Sequence, residues 1–286
     1  MEASGKVEIR LFTTNDIPFG MKLKDLAGWN QTQADWQRFL SLEPEGCFLA
    51  LCDGKPAGTT IAITYGQEMA WIAMVLVSLE MRRRGIGRSL VEHALCWLKK
   101  NKVKTMKLDA TEEGKNLYRK LGFQEEYVID RWQGRGKSGI DFDLPVIQQS
   151  DLEEIDRFDA FYFGTSRKKV LKQLLAEFSG RGFLYRGENG ALSGYGLCRY
   201  GQKAWHIGPC VACSATVAEK IFIRLLGLIG EKPVYVDVIR KNEAAKQIVM
   251  AQGFTIQRYL TRMYLGPNQC PGFPAGIFAT SGGEKG

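Results

Sequence analysis

From Trp71 to Leu90 an apolar run, Trp71-Ile-Ala-Met-Val-Leu-Val77, leads into Arg82-Arg83-Arg84-Gly85-Ile86-Gly87-Arg88-Ser89 and then into an amphipathic helical pattern. Small residues at 85 and 87 let successive backbone N–H groups converge on one point, and the helix that follows adds the positive end of its dipole. Three arginines just before the first glycine supply side-chain charge. The chemistry is anion binding, and its charge density suits a ligand with more than one phosphate.

Spacing separates the glycine loops that could do this. A nucleotide P-loop needs Gly-x-x-x-x-Gly-Lys-Ser/Thr, and that string is absent from the chain. A dinucleotide fingerprint is partly met, because Gly85-x-Gly87 is followed by Asp109 at the end of Met106-Lys107-Leu108. Leu90, however, stands at its third glycine position, and Ser78 to Arg84 intervene where a dinucleotide fold turns almost at once. The form Arg82-x-x-Gly85-x-Gly87 after a buried strand resembles the acetyl-coenzyme-A loop of the GNAT superfamily of N-acetyltransferases. Leu117-Tyr118-Arg119-Lys120-Leu121-Gly122-Phe123, downstream of Leu108-Asp109-Ala110, is similar to a later motif of the same family. Ala27-Gly28-Trp29-Asn30-Gln31-Thr32-x-x-Asp35-Trp36 resembles a bacterial subgroup that carries two such folds in tandem.

This resemblance implies acetyl-CoA as co-substrate, no metal, and direct attack of an amine on the thioester. It places the pantetheine arm on the backbone of Val75, Leu76 and Val77, where a strand bulge frees N–H groups, and the pyrophosphate on Arg82, Arg83, Arg84, Gly85, Ile86, Gly87, Arg88 and Ser89. Tyr118 resembles the general acid that protonates the leaving thiolate. Asp109 matches the place of a carboxylate base, although it equally suits the cap of a helix beginning near Glu112; Glu68 and Glu80 are weaker bases. For the acceptor the expectation is Trp29, Asn30, Gln31 and Trp36, aromatic faces and amides from the early helices, with Phe161, Tyr162, Phe163, Trp205 and His206 within reach from the second half. A small-molecule amine stands ahead of a protein N-terminus or lysine, and a noncatalytic acyl-CoA sensor is the rival class.

Composition agrees. At 286 residues and 45% apolar content the chain can bury two ordinary cores. No apolar run reaches a membrane span, and Met1-Glu-Ala-Ser-Gly-Lys6 has no signal-peptide core, so a soluble, cytoplasmic protein without membrane partners is expected. Seven cysteines argue for reduced thiols, and Cys210-x-x-Cys213 lacks the second pair a zinc knuckle needs. The net charge of +8 lies mainly in the second half, without a basic block beyond Arg82–Arg84 or interleaved aromatics, so nucleic acid is not expected as a partner.

The elements that must hold these residues occur twice. In the first half, strand Val7–Phe12, helical stretches Asp16–Leu26 and Thr32–Leu42 and strands Cys47–Cys52, Pro56–Tyr65 and Met69–Val77 precede helix Gly87–Lys100. Strand Val103–Leu108, helix Glu112–Leu121 and strand Phe123–Trp132 then complete a mixed sheet. Gly134–Gly139 reads as a flexible break. The second half repeats the order through Leu152–Phe158, Arg167–Phe178 with Ser166 as cap, Gly182–Arg186, Gly194–Tyr200, Ala204–Val211, Ala215–Ile229, Pro233–Val238 and Asn242–Ala251. Asp237 then falls opposite Asp109. The reading is α/β, two tandem GNAT-like acyl-CoA N-acyltransferase folds over 1–138 and 139–286. The second is degenerate, because Val211-Ala-Cys-Ser-Ala-Thr216 replaces the glycine loop and Val249 replaces Tyr118. It is expected as a wall, a lid or a homodimer surface, with an irregular tail from Gly266 packed over a surface.

Overall fold

The structure is a computed structural model that describes residues 6–139 and 142–286. The first half runs β1 (Val7–Leu11), α1 (Ile17–Leu26), α2 (Gln33–Leu42), β2 (Cys47–Cys52), β3 (Lys55–Tyr65), β4 (Met69–Val77), α3 (Ile86–Lys100), β5 (Thr105–Ala110), α4 (Glu112–Lys120) and β6 (Gln124–Arg135). The second repeats it as α5 (Leu152–Phe163), α6 (Lys168–Glu177), β7 (Gly182–Arg186), β8 (Leu192–Arg199), β9 (Trp205–Ala212), α7 (Ala215–Ile229), β10 (Pro233–Ile239), α8 (Glu243–Ala251) and β11 (Thr255–Leu265), followed by a short β12 (Ile277–Ala279). Local chemistry sets the starts. Thr32 and Asp35 form a reciprocal capping box on α2, and the turn Asp53-Gly54, both at positive φ, closes the β2–β3 hairpin.

All strands belong to one sheet, ordered β1-β2-β3-β4-β5-β11-β6-β10-β9-β8-β7, with β12 on β9. The halves exchange their last long strands. β11, from the second half, pairs antiparallel with β5 of the first, while β6, from the first half, pairs with β10 of the second. Sequence order would place β6 directly beside β5; instead β11 lies between them. Each exchanged strand brings an arginine to the carboxylate at the tip of its host strand. Arg262 donates from Nε and Nη2 to the two oxygens of Asp109 at 2.8 and 3.0 Å, and Arg131 does the same to Asp237 at 2.7 and 2.6 Å. Both pairs are buried and bidentate, so removing either partner would strand a charge.

Burial follows the exchange. One core packs α1, α2, α5 and α6 residues of both halves, from Phe12 and Trp36 to Leu171 and Ile277, against one sheet face. Two others lie on strands under α3 and α4, and under α7 and α8. Arg38 ties α2 to α6 by reaching both Asp35 and Glu177.

Three expectations change. The segment from Gly134 is strand as far as Arg135, Gly134 pairing with Val234, because β10 needs a partner along its full length. Arg167, not Ser166, occupies the N-cap position of α6; the Ser166 hydroxyl, one residue earlier, accepts from Lys168 N at 3.3 Å and donates to Asp156. The tail is irregular and lies at the surface only as far as Ala275; β12 then enters the sheet, and Thr280 to Gly286 run between the halves with Glu284 and Lys285 buried. Asn242 anchors that path. It caps α8 by accepting from Ala245 N at 3.0 Å and donates from Nδ2 to the carbonyls of Ala275 and Ile277, both at 3.0 Å. Asn242→Ala should therefore lower stability by about 2–3 kcal/mol, since one cap and two buried carbonyls lose their partner; a change under about 0.5 kcal/mol in chemical denaturation would contradict this anchoring.

Candidate active site

The site begins where two parallel strands stop pairing. β4 and β5 are hydrogen-bonded only at Met69–Trp71 against Thr105–Lys107. Beyond that, β4 stays with β3 and β5 stays with β11, so the facing edges diverge. β4 also bulges. Its register with β3 slips between Ala73 and Leu76, with Met74 at φ +52°, and the Met74 carbonyl accepts from the Thr59 hydroxyl at 2.8 Å. The bulge takes Met74 and Val75 out of the ladder, and both line the opening.

That opening is a cleft of about 1060 Å3. At one end Arg83 and Gly85, at φ +62° and +81°, turn the chain into α3. Glycine suits the second of these positions because a side chain there would strain the backbone. Ile86, Gly87 and Arg88 open the helix, so their N–H groups have no intrahelical acceptor and point outward from its first turn. Val75, Leu76, Val77, Arg82, Arg83, Gly85, Ile86, Gly87 and Arg88 all line this end. Arg84 and Ser89 do not, although Arg84 is exposed beside the loop. Arg82 is steadied by Glu113 at 2.7 Å.

Tyr118 lines the middle of the cleft from α4 and is 8% exposed. Burial pushes its hydroxyl above the ordinary tyrosine value, so it stays protonated at neutral pH. Gly114, one turn earlier, leaves room for the ring: a Cβ there would lie 3.2 Å from Tyr118 Cε2. Asp109 lines the cleft too, but its role changes. α4 is capped by Thr111, not Asp109. Burial lifts the Asp109 carboxyl above its ordinary value against the pull of Arg262, and both its oxygens are engaged by that arginine. Asp237 has the same bidentate partner in the half that lacks the glycine loop. The pairing is thus a duplicated tie between exchanged strands, and it engages both oxygens of the carboxylate expected as a base. Glu68 pairs with exposed Lys104 at the opposite end of β4, and Glu80 is exposed in the turn before the loop.

The far end takes residues from both halves: Trp29, Gln31, Arg131, Arg258, Leu260, Gly283 and Glu284. Trp71 Nε1 donates to the Gly283 carbonyl at 2.9 Å, which seats the tail. Glu284 accepts from Arg199 at 2.6 Å, from Gln31 at 3.1 Å and from Lys285. Although burial opposes its charge, Lys285 and Arg199 hold its carboxyl well below the usual range. Of the four expected acceptor contacts, Trp29 and Gln31 are here. Asn30 is not, because its amide is spent on the second half, accepting from Lys203 N and Ala204 N and donating to the Ala204 carbonyl. Trp36 is fully buried, stacked on Phe12 at 5.1 Å. Phe161 is exposed away from the cleft, Tyr162, Phe163 and Trp205 are packed, and His206 is buried, its imidazole pushed to about 3 by burial and Arg199. Arg131, Arg258 and the tail residues carry no sequence motif, since only the strand exchange and the return of the tail bring them together.

The second half has the corresponding strand divergence. β9 and β10 pair only at Trp205–Ile207 against Val234–Val236. The register of β9 with β8 slips at Gly208-Pro209, where proline removes a donor. Here the gap is filled by the chain itself. β12 pairs with β9 at Cys210 and Val211, and Thr280 N donates to the Asp237 carbonyl at 2.9 Å.

Comparison with known proteins agrees with this duplication. Residues 15–123 match the family model described as Acetyltransferase (GNAT) family, and residues 155–279 match the one described as Acetyltransferase (GNAT) domain. The uncharacterized N-acetyltransferase YitH of Bacillus subtilis is 29% identical over 64% of this chain, a match that spans 65% of YitH. The holothin acyltransferase of a Pseudoalteromonas species is 25% identical over 71% of this chain and 68% of its own length. Among solved structures, a Pyrococcus horikoshii protein described as a candidate acetyltransferase superposes over 100% of this chain and 98% of its own, with TM-score 0.85 and 25% identity. A tandem GNAT protein from the clavulanic acid biosynthesis pathway covers 92% of this chain and 100% of its own at TM-score 0.63 and 15% identity, a likeness of fold.

The two tryptophans of the early helices should now behave differently. Trp36→Ala should cost about 3–5 kcal/mol of stability, whereas Trp29→Ala, at a cleft-lining residue only partly buried against the same core, should cost clearly less. Equal effects in thermal unfolding would contradict the placement.

Proposed function

The chain belongs to the GNAT acetyltransferase family, with one such domain in each half, and from that premise we propose that its first half transfers the acetyl group of acetyl-CoA to the amine of a small molecule. The observation that carries this reading is one continuous cleft. It joins an anion-binding loop, a bulged strand edge and a buried tyrosine to a polar end closed by the tail. The pyrophosphate would meet the N–H groups of Ile86, Gly87 and Arg88 and the Arg82 and Arg83 side chains. The pantetheine arm would pair with the free edge of β4, leaving the thioester beside Tyr118.

At pH 7 an amine of pKa about 10.4 is neutral in about one molecule in a thousand, so its proton must leave before or during attack. With Asp109 held by Arg262, that proton passes to water in the cleft, and the neutral amine attacks the thioester carbonyl. The new oxyanion is met by backbone N–H at the β4 bulge. Collapse expels the thiolate, which Tyr118 protonates, and the proton that the attacking nitrogen sheds as it becomes the amide restores the tyrosine through cleft water. A sensor that only holds acyl-CoA would need the loop but not Tyr118 at the reacting end. The cationic surplus at the far end gives a small charged acceptor a site. No helix among the described residues is long and apolar enough to cross a membrane.

Release of coenzyme A thiol with a panel of amines tests the reading directly. Tyr118→Phe should lower kcat by about ten- to a hundredfold with the affinity for acetyl-CoA kept, and an unchanged kcat would remove the tyrosine from the chemistry. For the parent protein, kcat/KM should climb tenfold per pH unit toward the amine's own pKa. It should show no descending limb from Tyr118 below pH 10, because burial pushes that hydroxyl upward; a plateau near pH 6 would instead point to a protein base.

A further inference from the structure

At the polar end of the cleft, each carboxylate already has a cation of its own. Asp109 has Arg262, Asp237 has Arg131, and Glu284 has Arg199 and Lys285. Arg258, on the exchanged strand β11 and opposite Arg131 in its register with β6, forms no ion pair among the described residues. Its Nε is buried and makes no hydrogen bond among the described residues, yet its side chain lines the cleft. Close by, Gln31 Oε1 is likewise buried without a partner while its Nε2 is fixed on Glu284 at 3.1 Å. A buried guanidinium N–H left without an acceptor costs stability unless something meets it.

We propose, building on the acetyl-transfer reading, that the acceptor is an amino-acid-like small molecule, a primary amine that also carries a carboxylate, and that Arg258 binds that carboxylate. The planar fork of arginine suits a carboxylate, two parallel N–H···O bonds fixing both distance and orientation. Arg258 is the guanidinium at this end without an ion-pair partner among the described residues, and one such fork takes one carboxylate. Burial and the neighbouring Arg131 push Arg258 down to about 10, so a counter-anion is favoured there while the group remains charged at neutral pH. Held from that end, the ammonium end of the acceptor extends along the cleft toward Tyr118, past the Gly283 backbone. There a Cβ would already lie 3.3 Å from Leu260 and 3.6 Å from Asp109. The passage is thus narrow, and the bare backbone of Gly283 is what the tail contributes. Gln31 Oε1 is the acceptor for an N–H of the bound molecule. A protein N-terminus offers an amine but no carboxylate at a fixed short distance, so this end selects against it.

The test uses the whole chain, acetyl-CoA and pairs of acceptors that share one amine and one side chain but end in a carboxylate or in the matching carboxamide, with rates corrected for the fraction of neutral amine. Carboxylates should be preferred by about 50-fold in kcat/KM, mainly through KM. Arg258→Gln should bring that ratio close to one, and Arg258→Lys, which keeps the charge without the fork, should restore part of it. Equal use of carboxylate and carboxamide by the parent protein, or a ratio that Arg258→Gln leaves unchanged, would overturn the assignment while leaving acetyl transfer standing. No thiol release with any amine would instead overturn the acetyl-transfer reading, and this one with it.

Discussion

Backbone groups inside a sheet must find partners, and this fold twice pulls a pair of parallel strands apart so that they cannot find them in each other. β4 leaves β5 after Trp71, and β9 leaves β10 after Ile207. A buried N–H or C=O left without a partner costs about as much as a lost hydrogen bond, so each divergence demands something extended to lie along its edge. In the second half the chain supplies it: β12 pairs with β9, and the Asn242 side chain holds the strand in place. In the first half the same edge lines a cleft that ends at the Arg83–Gly85 turn and the first turn of α3. One duplicated geometry is thus open as a cleft in one copy and filled by the chain's own tail in the other. The loss of the glycines from Val211 to Thr216 belongs with this division.

The strand exchange makes the division useful. Because β11 sits against β5 and β6 against β10, the polar end of the first cleft is built by both halves. The bidentate pairs Arg262–Asp109 and Arg131–Asp237 fix the two exchanged strands at related positions. The tail, after filling the second gap, continues across the junction and delivers Gly283 and Glu284 to the first. Neither half could present this surface alone, so the second half shapes the polar end of the first half's cleft.

Much of this was legible in the residues, and the rest was not for definable reasons. The glycine loop, the meander of β2 to β4, the Tyr118 motif and the duplicated order of elements depend on local pattern, and local pattern is what a sequence states. Partner choice between strands is not local: β6 and β11 carry similar alternation, and nothing in either says which sheet it joins. β12 is three residues long between Gly276 and Thr280, too short for periodicity to reveal. Trp29 and Trp36 read alike as aromatic residues beside helix starts, and only packing sends one to the cleft and the other beneath Phe12. Asp109 was recognisable as a strand-end carboxylate, but the arginine that claims it lies 153 residues away.

The central claim, that one divergent strand pair takes the coenzyme and the other is taken by the tail, has a direct readout in stoichiometry. Isothermal titration of the whole chain with acetyl-CoA should give one site per chain, lost when Gly85 and Gly87 are both replaced by valine. Two sites per chain, or one site that survives those replacements, would contradict it.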